Sequence, residues 1–326
     1  MKKRILSGMR PTGRLHIGHW AGALSKWVDL QDEYSCFFMV ADWHALMSEY
    51  KSSFPVRDLA LDNVADWISW GISPEKSVIF VQSEVKEHLM LSMVLSILTP
   101  LGWLYRCPTF KEQITQLSSK EINTHAFLGY PVLQAADILL YRAEFVPVGN
   151  DQLPHLELTR EIVRRFSNIY KSSIFPEPKP ILTPVPRLLG LDGRKMSKSY
   201  GNSIYLSDED SEIKEKVRTM FTDPKRIRKT DPGHPEVCNV YSYYKAFFES
   251  ASPDVHNWCT KAERGCTECK AILAGKFSGL IKFRREEKKK LLKNKDKLLA
   301  ILEEGRKKAS IEAEKTWLKV KEAVRI

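Results

Sequence analysis

The first hundred residues alternate short strand-like runs with helix-period segments, and this limits the fold more than any other feature. Arg4–Ser7, Cys36–Val40 and Ser77–Val81 are four or five residues long, the length of buried strands. Between them, Gly18–Tyr34 carries Trp20, Leu24, Trp27 and Leu30 at helical spacing. Pro55–Trp70 opens with a proline suited to a first turn and carries Leu59, Val64 and Ile68. Strand, helix, strand, helix and strand with short loops predict a parallel sheet with right-handed crossovers.

Lys86 to about Leu104 reads as helix. So does most of Gln113–Tyr141, with a break at Gly129, Tyr130 and Pro131. Phe145–Val148 is a further strand candidate, and Pro154–Phe166 a helix. Five prolines between Ser172 and Pro186 mark a loop or connector. After about Tyr205 strand patterns stop, and Ser207–Met220, Tyr241–Glu249 and the chain from Leu280 read as helices. The expected class is α/β: a doubly wound, Rossmann-like parallel sheet followed by an all-helical C-terminal domain. The expected parts are a catalytic domain over 1–190, a loop over 191–205 and a helical domain over 206–326.

Composition bounds the function. A length of 326 residues allows two domains, and 43% apolar with 28% charged residues is ordinary globular usage. The most apolar stretch, Leu89–Leu104, is broken by Ser92, Ser96, Thr99 and Pro100. The basic start MKKRILSGMRPTG has no apolar core of a signal peptide. The expectation is a cytoplasmic protein with no membrane partner. The net charge is +11, and Arg284–Ile326 holds fifteen Lys and Arg against eight Asp and Glu. Such a tail meets a polyanion, nucleic acid being the commonest, or it is a solvated helix face laced with ion pairs.

Two segments carry phosphate chemistry. The first is Thr12-Gly-Arg-Leu-His16-Ile-Gly18-His19, between the first strand and the first helix. Ligands bind beyond the carboxyl ends of the strands in such sheets. A helix N-terminus offers N–H groups to phosphate, and Gly18 permits close approach of backbone to ligand. The second is Gly193-Arg-Lys195-Met196-Ser197-Lys198-Ser199, whose two lysines and hydroxyls suit a triphosphate or leaving pyrophosphate. Neither a GxxxxGK[ST] loop nor a GxGxxG fingerprint is present, which argues against ordinary NTPases and dehydrogenases.

Cys238, Cys259, Cys266 and Cys269 have the spacing C-x20-C-x6-C-x2-C, whereas Cys36 and Cys107 stand apart. In a cytoplasmic protein this points to metal rather than disulfides. Four thiolates suit tetrahedral Zn²⁺ or a [4Fe–4S] cluster, and the spacing alone leaves both open.

His-Ile-Gly-His followed by Lys-Met-Ser-Lys-Ser resembles the double signature of class I aminoacyl-tRNA synthetases. The segments SGMRPTG (Ser7–Gly13), ADWHA (Ala41–Ala45), YPVLQAADILLY (Tyr130–Tyr141) and VPVGNDQLPHLELTRE (Val146–Glu161) resemble tryptophanyl-tRNA synthetases. The likeness runs through the α/β part and the KMSKS loop and weakens in the C-terminal third. Tyrosyl-tRNA synthetases share the signatures but usually lack the AADILLY and HLELTRE wording. A catalytically idle RNA-binding relative and a HIGH-containing nucleotidyl or pantoate-activating ligase are alternatives of other classes.

The resemblance implies a tryptophan–tRNA ligase using L-tryptophan, ATP with Mg²⁺ and tRNA(Trp), and acting as a homodimer. It implies that Asp137 accepts the indole N–H; indole is a donor only. It puts Leu6, His44, Tyr130, Gln134 and Gln152 at the amino acid, with Leu6 replacing a frequent Phe and Gln134 a common Met. It puts Arg10, Pro11, Thr12, Gly18, His19, Gly149, Asn150, Asp151, Leu188, Lys195, Met196, Ser197, Lys198 and Ser199 at ATP. Arg10 stands where many members have Gln, and Asn150 where Glu is frequent. The catalytic set it implies is His16, His19, Lys195 and Lys198. A subset of the family carries C-x22-C-x6-C-x2-C holding a [4Fe–4S] cluster. The present motif differs by two residues in the first gap, and Zn²⁺ stays the alternative.

Overall fold

The structure is a computed structural model that describes residues 2–51, 55–107, 123–182, 188–194, 196 and 200–326. The chain divides into two compact units. One comprises Met1–Gly13, Lys26–Thr183 and Leu291–Ile326, and the other Arg14–Ser25 and Pro184–Lys290. The thirty-odd C-terminal residues, which the sequence reading groups with the helical half, thus pack in the first unit.

The first unit is built on five parallel strands: β1 (Arg4–Met9), β2 (Ser35–Val40), β3 (Ser77–Val81), β4 (Phe145–Val148) and β5 (Lys179–Leu182). Their order is β3-β2-β1-β4-β5, the doubly wound Rossmann-like arrangement. Five consecutive residues of β2 are buried, as expected of a strand covered on both faces. Leu6 faces Phe37 in register, and Phe37 faces Val78. The order reverses between β1 and β4, so the crevice beyond their carboxyl ends is the ligand position of such a sheet. Arg10, Pro11 and Thr12 follow β1, and Gly149–Gln152 follow β4.

Two local expectations are corrected. The five-proline connector contains β5, in which Pro180 pairs with Val146. An edge strand tolerates proline because one side of it needs no ladder donor. The expected break at Gly129–Pro131 is absent: one helix runs from His125 to Leu140 through Pro131, started by Thr124, whose side chain accepts from the Phe127 N–H at 3.2 Å. Ten buried residues anchor this helix, and that packing outweighs proline's local cost.

The C-terminal helix, Lys295–Val324, covers the outer edge of β3. A Cβ added at Gly305 would overlap the Ile79 carbonyl, so glycine lets the helix backbone lie directly on the strand. Covering an edge this way removes a template for unwanted strand pairing. Arg4 Nη2 binds Glu312 Oε2 at 2.5 Å and holds β1 to the same helix. Much of the basic tail is internally paired, as in Lys290–Glu287, Arg306–Glu303, Lys308–Glu304 and Lys315–Glu312.

In the second unit, no residue after Tyr205 forms a named strand among the described residues. The helices are Asp210–Arg218, Asn239–Phe247, Ser252–Thr260 and Cys266–Lys293, the last beginning well before the expected Leu280. They close on a core of Ile213, Val217, Tyr243, Tyr244, Leu273, Phe277 and Ile281. The HIGH segment belongs to this unit: Ile17 N–H donates to the Ile204 carbonyl and Leu206 N–H to that of Leu15. Asp208, fully buried, binds Lys216 Nζ at 2.5 Å and Arg14 Nη2 at 3.2 Å, tying that strap to the chain beyond the KMSKS segment.

Candidate active site

Asp137 lies on the His125–Leu140 helix and is 1% exposed. A carboxylate with such burial requires donors, and three side chains supply them. His44 Nε2 is 2.8 Å from Oδ2, and His88 Nδ1 is 2.6 Å from Oδ1. Gln82 Nε2 donates to both oxygens, at 2.8 and 3.0 Å. Burial pushes the carboxyl up, but hydrogen bonds from His44 and His88, then their charges, outweigh it and hold it at about 2. His88 Nε2 in turn meets the Tyr141 hydroxyl at 2.8 Å, and burial drives that phenol well above its ordinary range. The result is an acceptor-only group fixed in an apolar wall that includes Leu6, Phe37, Ala136 and Ile138. Gln134 sits one turn before Asp137 and is half-buried.

A second hydrogen-bonded row leads from this helix to the loop after β4. Tyr130 Oη is 2.8 Å from His155 Nε2, His155 Nδ1 is 3.1 Å from Gln152 Oε1, and Gln152 Nε2 donates to Asp151 Oδ2 at 2.9 Å. Burial lowers His155 to about 4, so its ring is neutral at pH 7. The His44 ring meets Tyr130 edge-on at 6.3 Å, so the two rows flank one another. Arg10 stands within electrostatic reach of Tyr130 and Glu49. Gly149 is held tightly by Asp151: an added Cβ would lie 2.7 Å from its Oδ1. Asn150, Asp151 and Gln152 form a single 3-10 turn.

In the second unit, His16 caps the short helix Ile17–His19 with an extended backbone, and a π-helical turn, Trp20–Leu24, follows. The His16 N–H donates to His19 Nδ1 at 3.1 Å, and the two rings lie 3.8 Å apart. Accepting at Nδ1, the His19 ring carries its hydrogen on Nε2. A Cβ at Gly18 would be 2.9 Å from both His16 Nδ1 and Met196 Sδ, so the two signature segments meet here. The start of the second segment is pinned by Asp192, which pairs with Arg194 at 2.7 Å and accepts from Asn202 at 2.8 Å. The Arg194 guanidinium lies over the Tyr200 ring at 4.5 Å, and Leu188 precedes the turn, half-buried. Lys195, Ser197, Lys198 and Ser199 lie outside the described residues.

The four cysteines also belong to this unit, and all are free, half-buried thiols. Cys238 precedes the Asn239–Phe247 helix, Cys259 is the penultimate residue of the Ser252–Thr260 helix, and Cys266 and Cys269 share the first turn of the long one. Burial raises the Cys238 and Cys259 thiols and takes Cys269 to about 12, and neighbouring thiols of the set push each further up. Arg226 Nη1 is 3.8 Å from Cys259 Sγ. Thiol donors are of the kind that suits a soft metal centre. The side chains as they stand do not converge on one: among the described residues no three His, Cys, Asp or Glu form a metal-holding group.

Sequence reading missed Gln82, His88, Tyr141 and His155. Gln82 had a signal, since it is the first residue beyond β3, at the carboxyl end of a strand. His88, Tyr141 and His155 sit among apolar helix residues, where only the fold reveals what each faces.

The strand order and the two joined signature segments define a class I aminoacyl-tRNA synthetase fold. Residues 1–282 match the family model described as tRNA synthetases class I (W and Y), and the chain belongs to that family. It is 48% identical over 326 residues to the tryptophan–tRNA ligase of Thermotoga maritima, covering 99% of each chain. It is 40% identical over 394 residues to that of Aquifex aeolicus, covering 99% of this chain and 100% of the relative. A crystal structure of tryptophanyl-tRNA synthetase from Campylobacter jejuni complexed with ADP and tryptophan superposes with a TM-score of 0.89. Its identity is 34%, over 99% of this chain and 100% of that one.

Proposed function

We propose that the chain is a tryptophan–tRNA ligase, which joins L-tryptophan to tRNA(Trp) at the expense of ATP. The observation that carries this reading is the Asp137 carboxylate, buried and held ionised by His44, His88 and Gln82. A buried acceptor with no proton of its own selects a side chain that brings an N–H. It rejects phenylalanine by leaving that acceptor with one partner fewer.

In the first half-reaction the tryptophan carboxylate attacks the α-phosphorus of ATP in line. The new carboxyl–phosphorus bond forms as the bond to the β-phosphate oxygen breaks, giving tryptophanyl-adenylate and pyrophosphate. The substrate supplies the nucleophile, so the protein's part is positioning and charge stabilisation. His16 and His19, with the backbone N–H groups around Gly18, serve the α-phosphate. Lys195 and Lys198 neutralise charge on the leaving pyrophosphate, together with the Mg²⁺ that accompanies ATP. Arg10, Pro11, Thr12, Gly149, Asn150, Asp151, Leu188, Met196, Ser197 and Ser199 complete the nucleotide site. In the second half-reaction a terminal ribose hydroxyl of the tRNA takes the tryptophanyl group and AMP leaves.

In this reading residues 1–190 are the catalytic domain, 191–205 the KMSKS loop and 206–326 the tRNA-binding part, whose last helix, Lys295–Val324, packs on the catalytic domain's β3. Cys238, Cys259, Cys266 and Cys269 would hold a [4Fe–4S] cluster, or Zn²⁺. What supports this is their spacing and the guanidinium of Arg226, 3.8 Å from Cys259 Sγ. A bound cluster would tie several chain segments together and add to folding stability, with no step of the transfer passing through it. An absorption band in the visible blue from anaerobically purified protein, with iron and sulfide in equal amounts, supports the cluster; bound zinc supports the alternative, and bare thiols argue against both.

The proposal includes a homodimer. Leu89, Met93, Ile97, Leu101 and Tyr105 form an exposed apolar stripe, with Ile97 72% exposed, on two consecutive helices of the first unit. Aminoacylation of transcribed tRNA(Trp) with labelled tryptophan is the test of the function as a whole. The proposal expects charging that depends on both ATP and that tRNA, and no charging would refute it.

A further inference from the structure

We propose that the C-terminal helix, Lys295–Val324, takes part in selecting tryptophan, with Glu312 a positioning residue that acts on Asp137 through Arg4, Tyr141 and His88. The inference rests on the indole-acceptor reading above. Glu312 Oε2 is 2.5 Å from Arg4 Nη2, and its other oxygen takes Lys315 Nζ at 2.6 Å, so the carboxylate is held on both sides. The other prong of the guanidinium, Arg4 Nη1, donates to the Tyr141 carbonyl at 3.1 Å. Tyr141 is the C-cap of the His125–Leu140 helix, where backbone acceptors have no donor within the helix. A guanidinium donates from both prongs in a fixed plane, so Arg4 ties the C-terminal helix to the end of the helix that bears Asp137.

From there the row turns inward. Tyr141 Oη is 2.8 Å from His88 Nε2, and His88 Nδ1 is 2.6 Å from Asp137 Oδ1. The imidazole is gripped at both nitrogens and is wholly buried, so it cannot turn without losing a bond. The row thus runs from Glu312 to Asp137 with a polar contact at every step.

A second leg starts from the same face of the C-terminal helix. Gly305, two turns before Glu312, lies against the Ile79 carbonyl of β3. Just beyond Ile79 on the chain, Gln82 donates to both oxygens of Asp137, at 2.8 and 3.0 Å. Ala309, Ala313 and Val320 of the helix are buried in one cluster with Leu140 and Tyr141. Gln82 and His88, two of the three side chains that hold Asp137, are therefore backed by this helix. A hydrogen bond weakens steeply with misalignment, so a shift in the backing is felt at the indole N–H more than elsewhere on the amino acid.

The experiment compares L-tryptophan with its benzothienyl analogue, in which sulfur replaces the N–H in a ring of similar shape, by kcat/KM in ATP–pyrophosphate exchange. The unaltered protein should favour tryptophan about tenfold or more, the scale of a hydrogen bond to a charged group. Glu312→Leu should cut that ratio about threefold or more, the reach of a coupled residue outside a site, through loss of tryptophan use and with the KM for ATP little changed. Glu312→Gln, which keeps an oxygen for Arg4, should recover most of the ratio. Tyr141→Phe, which frees the far side of His88, should show the same selective loss as Glu312→Leu. A folded Glu312→Leu protein with an unchanged ratio, or with equal losses for both amino acids, would overturn the proposal. Should Glu312→Leu not fold, Arg4→Lys, which keeps the charge without the two-pronged donor, must show the selective loss, and an unchanged ratio there overturns the proposal equally. An unaltered protein that used both amino acids equally would refute the indole-acceptor reading itself, and this proposal with it.

Discussion

His88 Nδ1 and Asp137 Oδ1 lie 2.6 Å apart, with the imidazole wholly buried and the carboxylate nearly so. The pair joins two helices, Glu87–Leu98 and His125–Leu140, through a contact that carries charge in a wall otherwise apolar. A group so placed is costly unless it is satisfied. Here Asp137 has donors from three side chains, so the same residues that make it stable also hold it in the form that accepts an indole N–H.

Asp137→Asn keeps the shape, loses the charge and puts an NH₂ group among donors. The expected result is a KM for tryptophan raised at least about tenfold, with the KM for ATP within twofold. Steady-state pyrophosphate exchange reads both constants, and an unchanged tryptophan KM would remove Asp137 from the specificity site.

Acid should loosen the first unit in a defined window. His155 is lowered from 6.5 to about 4 by burial, so the unfolded chain takes up a proton that the folded chain refuses. Its contribution to stability is complete above pH 6.5 and is lost as pH falls toward 4. Asp137, lowered from 3.8 to about 2, acts in the same direction at lower pH: its contribution is present above 3.8 and lost toward 2. Thermal melts should show Tm falling from pH 7 to pH 4.5, and His155→Gln should fall less over that range. Parallel curves would contradict the buried neutral imidazole.

Gly18→Ala tests the meeting of the two signature segments. The new methyl would press on His16 Nδ1 and Met196 Sδ at 2.9 Å, so the catalytic imidazole or the methionine side chain must move. Misplacing a catalytic contact by about an ångström costs roughly 10²-fold. The prediction is a fall in kcat for adenylate formation of that order, with tryptophan affinity by calorimetry nearly unchanged. A variant with full kcat would show that the contact is incidental.

Much of the first unit was legible because its signals are local. β2, β3 and β4 fall within a residue of the apolar runs, and the first strand begins at Arg4 as read but extends to Met9. What was lost is non-local. β5 is a strand only because β4 offers an edge to Lys179–Leu182, and Pro131 stays helical only because its neighbours are buried. The C-terminal helix joins the first unit through Gly305 and Ile79, a contact across more than two hundred residues of sequence. At the site, His44, Tyr130, Asp137 and Gln152 were singled out by likeness to a family. Their supports Gln82, His88 and His155 needed coordinates, because a buried polar residue on an apolar face looks the same whether it pairs or packs.

Ile97→Asp tests the apolar stripe. Placing a charge at its centre should convert a dimer to monomer at micromolar concentration, as read by light scattering behind size exclusion, without lowering Tm by more than a few degrees. A protein that is monomeric before substitution would contradict the proposed homodimer.

The measurement that bears most directly on the central claim is ATP–pyrophosphate exchange with each of the twenty amino acids in turn. An ionised acceptor in an apolar wall predicts exchange with tryptophan at least about 10³-fold above that with tyrosine or phenylalanine in kcat/KM. That preference should collapse in Asp137→Asn. Exchange led by tyrosine, or a tryptophan preference that survives the substitution, would contradict the account.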